Sequence, residues 1–423
     1  MHAESAEPST PPESALRRTL GCRNALLLQG PAGPFFRRLA AELRAGGATV
    51  LKVNFHAGDR LFFPGKEAIS YRGSRARWPS FVAALIEERG IDAIFLFGDC
   101  RAYHRAAIQI ARARDVAVWV FEEGYLRPDF ITLEKGGVNG YSSIEPRPER
   151  YLEAPSASLP EPEPRSPGPW FGRAAWYSAL NALAYTLLGR DFPEYEHHRD
   201  LNAFKHALWY VRSGWRKLRF EAAERGLLEE IIARYDGAYY FVPLQVHSDF
   251  QLGHSEYEDV TEFIEEIVAT FAAQADPRLA LVFKHHPMDR PFREYGPLFE
   301  RLRHLHGLEG RLYYVHDLHL PTLLRHARGT ITINSTVGLS SIHHHTPVKV
   351  MGRAIYDMPG LTHQGSLEAF LSDPGEVDDA LYRAFRRWLL AENQANGNFY
   401  RRLGDAQNAT GIDWFPGRRQ RGE

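Results

Sequence analysis

Only two of the 423 residues are cysteine, Cys22 and Cys100, which excludes a disulfide framework or a CxxC metal knot and suits a reducing compartment. A dominant charge is lacking as well. Lys plus Arg number 51 against 52 for Asp plus Glu, so no global field favours nucleic acid and any electrostatic attraction has to be local. No apolar stretch reaches the ~20 residues that span a bilayer. The opening MHAESAEPSTPPESALRR has neither the basic start nor the apolar run of a secretory signal. The expectation is a protein that stays inside the cell, with at most a peripheral membrane contact. GxGxxG, GxxxxGK[ST] and HExxH motifs are missing too. Histidines are plentiful and cluster at 285–286, 316–319 and 343–345. Consecutive side chains on a strand diverge, however, so clustering in sequence is poor evidence for one coordination sphere, and no metal is expected.

What is present is core-forming material. Apolar residues make up 44% and charged residues 24%, enough for packed domains, and the length suits two of them plus an insertion. NALLLQ (24–29) reads as a buried strand, followed by the Gly/Pro turn from Gly30 to Pro34 and by FFRRLAAELRAGG, which has helical spacing. ATVLKVNF (48–55), IDAIFLFGD (91–99) and VAVWVFEEG (116–124) continue as strands, with helices over 80–89 and 102–114. This βα alternation predicts a parallel sheet with helices on both faces.

APSASLPEPEPRSPGP (154–169) then interrupts as a linker with nothing to bury. AAWYSALNALAYTLL and VRSGWRKLRF follow, aromatic and basic, suiting either a helical insertion packed on a domain or an interfacial helix on an anionic membrane. Alternation resumes with YYFVPLQV (239–246), a helix over 260–273, LALVFKHHP (279–287), LYYVHD (312–317), a helix over 321–327, GTITIN (329–334) and PVKVMG (347–352). The division read from this is a disordered tail (1–20), a first Rossmann-like domain (21–150) and a linker with helical insertion (151–235). A second Rossmann-like domain (236–375) and a closing helix of roughly 376–396 that crosses back over the first domain, with a basic tail to 423, complete it.

Ligands of such sheets bind beyond the carboxyl ends of the strands, which selects four loops. Gly30 and Gly33 belong either to a tight turn or to a substrate-lining loop beside Gln29; the intervening prolines remove amides that a phosphate cradle needs. Glu122 and Glu123, before Gly124, are costly to desolvate together, which suits acid/base or nucleophilic work; the alternative is a surface pair bridged to Arg127. Lys284, His285 and His286, before Pro287, can hold an anionic phosphate or be strand-end polar residues. After Asn334, Ser335 and Thr336 cap the next helix, whose free amides favour a phosphate, or serve as caps alone.

LLLQGPAGPFFRRLA, FEEGYLRPDFITLE with GVNGYS, FVPLQVHSDFQ, FKHHPMD and HDLHLPTLLRHARGTITINSTVGLS with AIYDMPGLT, in that order, resemble the KpsS/LipB family of capsule polysaccharide biosynthesis proteins. The likeness runs from about Leu26 to Leu367 and is weakest over 152–235. It implies a cytoplasmic GT-B glycosyltransferase, peripheral on the inner membrane, that needs no cofactor or metal. The implied reaction places a first β-linked Kdo from CMP-Kdo on lyso-phosphatidylglycerol, alongside a KpsC-type transferase and the capsule export complex. The family is also similar to sialyltransferase-type GT-B enzymes, with an acidic-acidic-Gly, an HP and a Ser/Thr motif. On that likeness Glu123 is the nucleophile (or the base, were the reaction inverting), Glu122 or Gln29 orients the acceptor, and Arg127 pairs with the Kdo carboxylate. Lys284, His286, Pro287, Asn334, Ser335 and Thr336 then hold the donor. Other readings are a non-catalytic CMP-sugar or lipid-binding component of export, a transferase for CMP-sialic acid, and a histidine-based metal hydrolase.

Overall fold

The structure, a computed structural model, describes residues 21–158, 160–196, 203–247 and 250–416. The N-terminal tail over 1–20 and the basic GRRQRG tail lie outside them. Two sheets organise the chain. The first has the order β12-β6-β5-β4-β1-β2-β3 and the second β11-β10-β7-β8-β9. In the first sheet β1 (Asn24–Leu27), β2 (Thr49–Asn54), β3 (Ala68–Ser70), β4 (Ala93–Phe97) and β5 (Ala117–Glu123) are parallel. The second, built from β7 (Tyr239–Pro243), β8 (Ala280–Lys284), β9 (Leu312–Val315), β10 (Gly329–Thr332) and β11 (Val348–Val350), is parallel throughout.

Strands buried on both faces explain the unbroken apolar runs of the sequence. Ala25 and Leu27 face the helix Phe35–Ala45, while Leu26 and Leu28 join the opposite core with Val82, Leu85 and Ile108 of the helices Trp78–Arg89 and Ala102–Arg112. Tyr240, Val242, Leu281 and Phe283 pack on the helix Val260–Gln274, and Tyr239, Phe241 and Val282 on the opposite side with Leu323 and Leu324. Two sheets, each layered by helices on both faces, are the α/β, two-Rossmann arrangement expected. A further apolar core fuses them: Tyr125, Leu126, Phe130 and Tyr151 from the first half pack with Leu339, Ile342, Val350, Tyr356, Leu381 and Phe385.

The first sheet departs from the purely parallel expectation at one edge. β6 (Phe130–Lys135) returns antiparallel to β5, and β12 (Gln394–Asn396) is antiparallel to β6. The closing helix is therefore shorter than the apolar spacing over 376–396 suggests: it covers Asp379–Glu392, and the chain from 394 becomes a strand. Residues after it stay with the first sheet, because buried Glu42 accepts from Thr410 N at 3.0 Å and Trp414 Nε1 at 2.8 Å.

The insertion contributes two long helices, Phe171–Leu188 and Ala203–Ala223. The first covers the Gly/Pro turn and the short helix Ala57–Phe62. A Cβ on Gly33 would stand 2.7 Å from the Tyr177 ring and one on Gly58 2.0 Å from Asn181 Oδ1, while Gly30 is closed by Phe36 at 2.8 Å. Gly30 and Gly33 thus serve close packing, and Gly33 also takes a left-handed φ of +122°. Among the described residues no helix is long and apolar enough to cross a membrane.

Candidate active site

Strand order decides which loops meet. The first sheet grows from β1 to β3 on one side and then reverses to set β4 on the other, leaving a crevice between the exits of β1 and β4. The second reverses likewise between β7 and β10. Polar side chains gather at both points.

At the first, buried Gln29 leaves β1 with its Nε2 2.8 Å from His56 Nε2 and 3.3 Å from Tyr195 OH. His56 follows β2 and caps the helix Ala57–Phe62, its Nδ1 accepting from Gly58 N at 3.0 Å. Burial lowers the pKa of this imidazole, keeping it neutral. Arg101 follows β4 and carries its guanidinium 5.4 Å over the Phe97 ring. Glu122 and Glu123 end β5 and, as strand neighbours, diverge. Glu122 comes near Gly98, while Glu123 Oε2 lies 3.6 Å from Arg127 Nη1.

Both carboxyls are pushed toward the protonated form. Glu122 rises to about 7, mainly by burial, with the Glu123 charge adding to it and the Glu123 amide (3.0 Å) and Arg101 opposing. Burial also raises Glu123, against the pull of Arg127, although its side chain keeps 30% exposure. A carboxyl that exchanges its proton near neutrality beside an accessible one is a usable acid/base and nucleophile pair.

The loop behind them is fixed from a distance. Gln394 of β12 accepts from Tyr125 N at 2.9 Å and Leu126 N at 3.3 Å and donates to Thr132 Oγ1 at 2.9 Å. Thr132 Oγ1 in turn donates to the Glu123 carbonyl at 3.1 Å. Gly124 is required here by contact: a Cβ would sit 2.3 Å from the Phe130 carbonyl oxygen.

At the second crevice Gln245, after β7, donates to Asn334 Oδ1, after β10, at 2.7 Å, tying the two strands at the reversal. Among the described residues its buried Oε1 finds no hydrogen-bond partner. Ser335 is held through its carbonyl by Tyr356 OH at 2.5 Å, and its Oγ accepts from Val337 N at 3.2 Å. Thr336 occupies the N-cap position of Val337–His343 without a side-chain capping bond, so only Ser335 of the expected pair caps through its side chain.

The histidine pair separates. His285 is buried, bonded to Tyr314 OH at 2.7 Å and pushed down to about 3, mainly by burial. It faces inward rather than toward a ligand. His286 Nδ1 accepts from Met288 N at 3.1 Å and caps the turn Pro287–Asp289, so the ring hydrogen belongs on Nε2. Burial first, then Lys284 and Arg127, push it down to about 4. Lys284 Nζ turns to the His316 carbonyl.

Arg127 joins the two edges, ion-paired to Glu123 and close enough to His286 to act on its titration. Tyr141 and His254, edge to face at 4.5 Å between ring centroids, span the halves nearby. The other histidine clusters disperse: His316 binds Glu224 at 2.6 Å and His345 binds Asp379 at 2.6 Å. Among the described residues no three His, Cys, Asp or Glu side chains converge to hold a metal.

The sequence model described as "Capsule polysaccharide biosynthesis protein" matches residues 92–400. The Escherichia coli capsule polysaccharide export protein KpsS is 40% identical over 390 residues, 92% of this chain and 99% of its own. The chain belongs to the capsule polysaccharide biosynthesis family. The capsule polysaccharide modification protein LipB of Neisseria meningitidis serogroup B is a further relative, 40% identical over 89% of this chain and 91% of its own. A much looser likeness, TM-score 0.43 at 16% identity over 88% of this chain and 92% of the other, is to the β-Kdo 2,7 transferase of Thermosulfurimonas dismutans KpsC. The matched capsule-family span holds Glu122, Glu123, Arg127, His286, Asn334, Ser335 and Gln394, whereas Gln29 and His56 precede it. Gln245, Arg101, Tyr356 and Gln394 escape sequence reasoning. A strand-exit position was the available signal for Gln245 and Arg101; nothing local marks Gln394.

Proposed function

We propose that this protein is a retaining β-Kdo transferase, moving Kdo from CMP-Kdo to lyso-phosphatidylglycerol at the inner-membrane surface to begin the capsule linker. On this reading residues 21–150 form the catalytic and acceptor side and 236–375 the CMP-sugar side. The observation that carries it is the meeting of the two strand-end edges at Arg127, with an acidic pair on one side and a neutral His286 on the other. Membership of the capsule family supports a substrate from that pathway.

Donor and product are both β-linked, so two inversions are required. A Glu123 carboxylate oxygen attacks the anomeric carbon while its bond to the CMP phosphate oxygen breaks, and CMP leaves with the electron pair. The acceptor hydroxyl then displaces Glu123 and gives its proton to a base, for which Glu122, raised to about 7, is the candidate, with Gln29 orienting the hydroxyl. Arg127 pairs with the sugar carboxylate. On the donor side His286 Nε2–H and the amides around Ser335 and Thr336 meet the leaving phosphate.

The test is a mass-spectrometric transfer assay offering CMP-Kdo and CMP-sialic acid in parallel with lyso-phosphatidylglycerol. A Kdo-lipid from CMP-Kdo alone is expected, and Glu123→Gln should lower transfer by about 10³-fold or more while CMP still binds. Full activity in that variant sinks the nucleophile assignment. The word "export" in the E. coli relative's name favours a second reading, a non-catalytic component that binds the same ligands. That reading requires binding of CMP-Kdo with no lipid product and no CMP release.

A further inference from the structure

The helix Ala203–Ala223 carries two stripes on opposite faces. Trp209, Ser213, Arg216 and Phe220, spaced four, three and four residues apart, turn inward, and Glu224 continues the line. Phe204, Leu208, Val211, Trp215 and Leu218 have the same spacing on the other side, and each is at least 60% exposed. An amphipathic helix normally buries its apolar face. Here the face rooted in the protein mixes the rings of Trp209 and Phe220 with Ser213 and Arg216, while a wholly aliphatic and aromatic face is exposed. Lys205, Arg212 and Arg219, seven residues apart, run along one flank of that apolar face. The neighbouring helix Phe171–Leu188, which has no acidic residue, exposes Trp176, Leu183 and Leu187.

The inward stripe ends at the rim of the second sheet. Phe220 stacks on His316 with centroids 3.4 Å apart and planes 7° off parallel. Glu224 Oε1 accepts from His316 N at 2.8 Å and from its Nδ1 at 2.6 Å, and Glu224 Oε2 accepts from Asp317 N at 3.1 Å. Arg216 Nη1 donates to the carbonyls of Arg290 at 2.6 Å and Arg293 at 3.1 Å. Trp209 meets Phe292 edge to face at 4.9 Å. These partners belong to the segments that follow His286-Pro287 and β9.

We propose that this helix lies in an anionic lipid surface by its exposed stripe and, through Arg216, Phe220 and Glu224, holds the donor-side rim, so that surface contact orders the loop Pro287–Arg293. The basic flank selects the occupant. An anionic bilayer complements Arg212 and Arg219, and aromatic rings in the stripe suit the headgroup boundary. A second copy of the same helix would bring like charges together. The inference rests on the function proposed above only in placing the work at a membrane; the contact itself does not depend on the sugar.

Three measurements on the full chain test it without any sugar. Flotation with vesicles of phosphatidylglycerol and phosphatidylcholine should recover the protein at least tenfold better than with phosphatidylcholine alone, and added salt should weaken it. The triple variant Leu208→Ser, Val211→Ser, Trp215→Ser should lose that binding while melting with the wild type, since the three side chains already stand in solvent. The pair Arg212→Glu, Arg219→Glu should lose it independently. Amide exchange over 287–293 and 316–317 should slow severalfold on adding anionic vesicles, and Glu224→Gln should bind vesicles with a smaller slowing. Binding that survives both stripe and flank variants overturns the proposal, as does a wild-type dimer that the stripe variant dissolves without any lipid binding. So does vesicle binding with unchanged exchange at the rim. A protein that passes these tests but transfers no Kdo leaves this inference standing and removes only the enzymatic one.

Discussion

The acidic edge of the first sheet and the histidine edge of the second receive the same treatment, with opposite consequences for proton exchange near neutrality. Burial lifts Glu122 to about 7 and drops His286 to about 4, so each ionisable group is driven toward its neutral form. For the carboxyl this creates a group poised to exchange a proton near neutrality. For the imidazole it removes titration from that range and leaves a fixed Nε2–H donor. On the proposed reading the first edge handles protons and the second holds the donor's anion still, with Arg127 between them.

The largest effect that would break this contrast is loss of Glu123. Glu123→Gln is expected to lower transfer about 10³-fold with CMP affinity intact, whereas a failure of both would place Glu123 in binding as well. Next, His286→Ala should raise the donor KM about 10- to 100-fold, the loss of one hydrogen bond to a charged phosphate, with a smaller change in acceptor KM. Gln394→Leu leaves the Tyr125 and Leu126 amides without their acceptor, costing about 1–3 kcal/mol in unfolding free energy and slowing turnover without touching donor binding.

The finest distinction lies in pH. Glu122 is raised in the folded protein from 4.5 to about 7, so its protonated form favours the fold; that contribution is whole below the ordinary value and is lost as pH rises through 7. His286 runs the other way, lowered from 6.5 to about 4, and its contribution is whole above 6.5 and lost as pH falls through 4. Glu122→Gln should therefore gain melting temperature over the wild type as pH rises from about 5 to 8 and erase an inflection of kcat near 7. His286→Ala should leave that inflection in place. An inflection that persists in Glu122→Gln assigns it to another group.

Strands such as β1 and β7 were legible because both faces are buried and the apolar run is unbroken. The strand exits followed from that, and with them the neighbourhoods of Gln29, Glu122, His286 and Asn334. β3, β6 and β12 were not legible as strands. β3 is three residues long, and β6 and β12 owe their pairing to tertiary placement. The separate fates of His285 and His286 also lay beyond the sequence, since they depend on Tyr314 OH reaching one ring and Met288 N reaching the other. The caps behaved similarly: Ser335 and Thr336 look alike in sequence, and only the first bonds a helix amide.

The placement of β12 has a consequence for the order of synthesis. β6 exposes its outer edge from the moment Phe130–Lys135 leaves the ribosome, yet the strand that covers it arrives more than 250 residues later. In the interval the second sheet is completed while the first remains open on one side, with the Thr132 backbone and the loop after Glu123 still waiting for Gln394. The acidic motif therefore reaches its final form only when the last tenth of the chain has been made, and a nascent or truncated product would carry a finished second sheet beside an unfinished acidic edge.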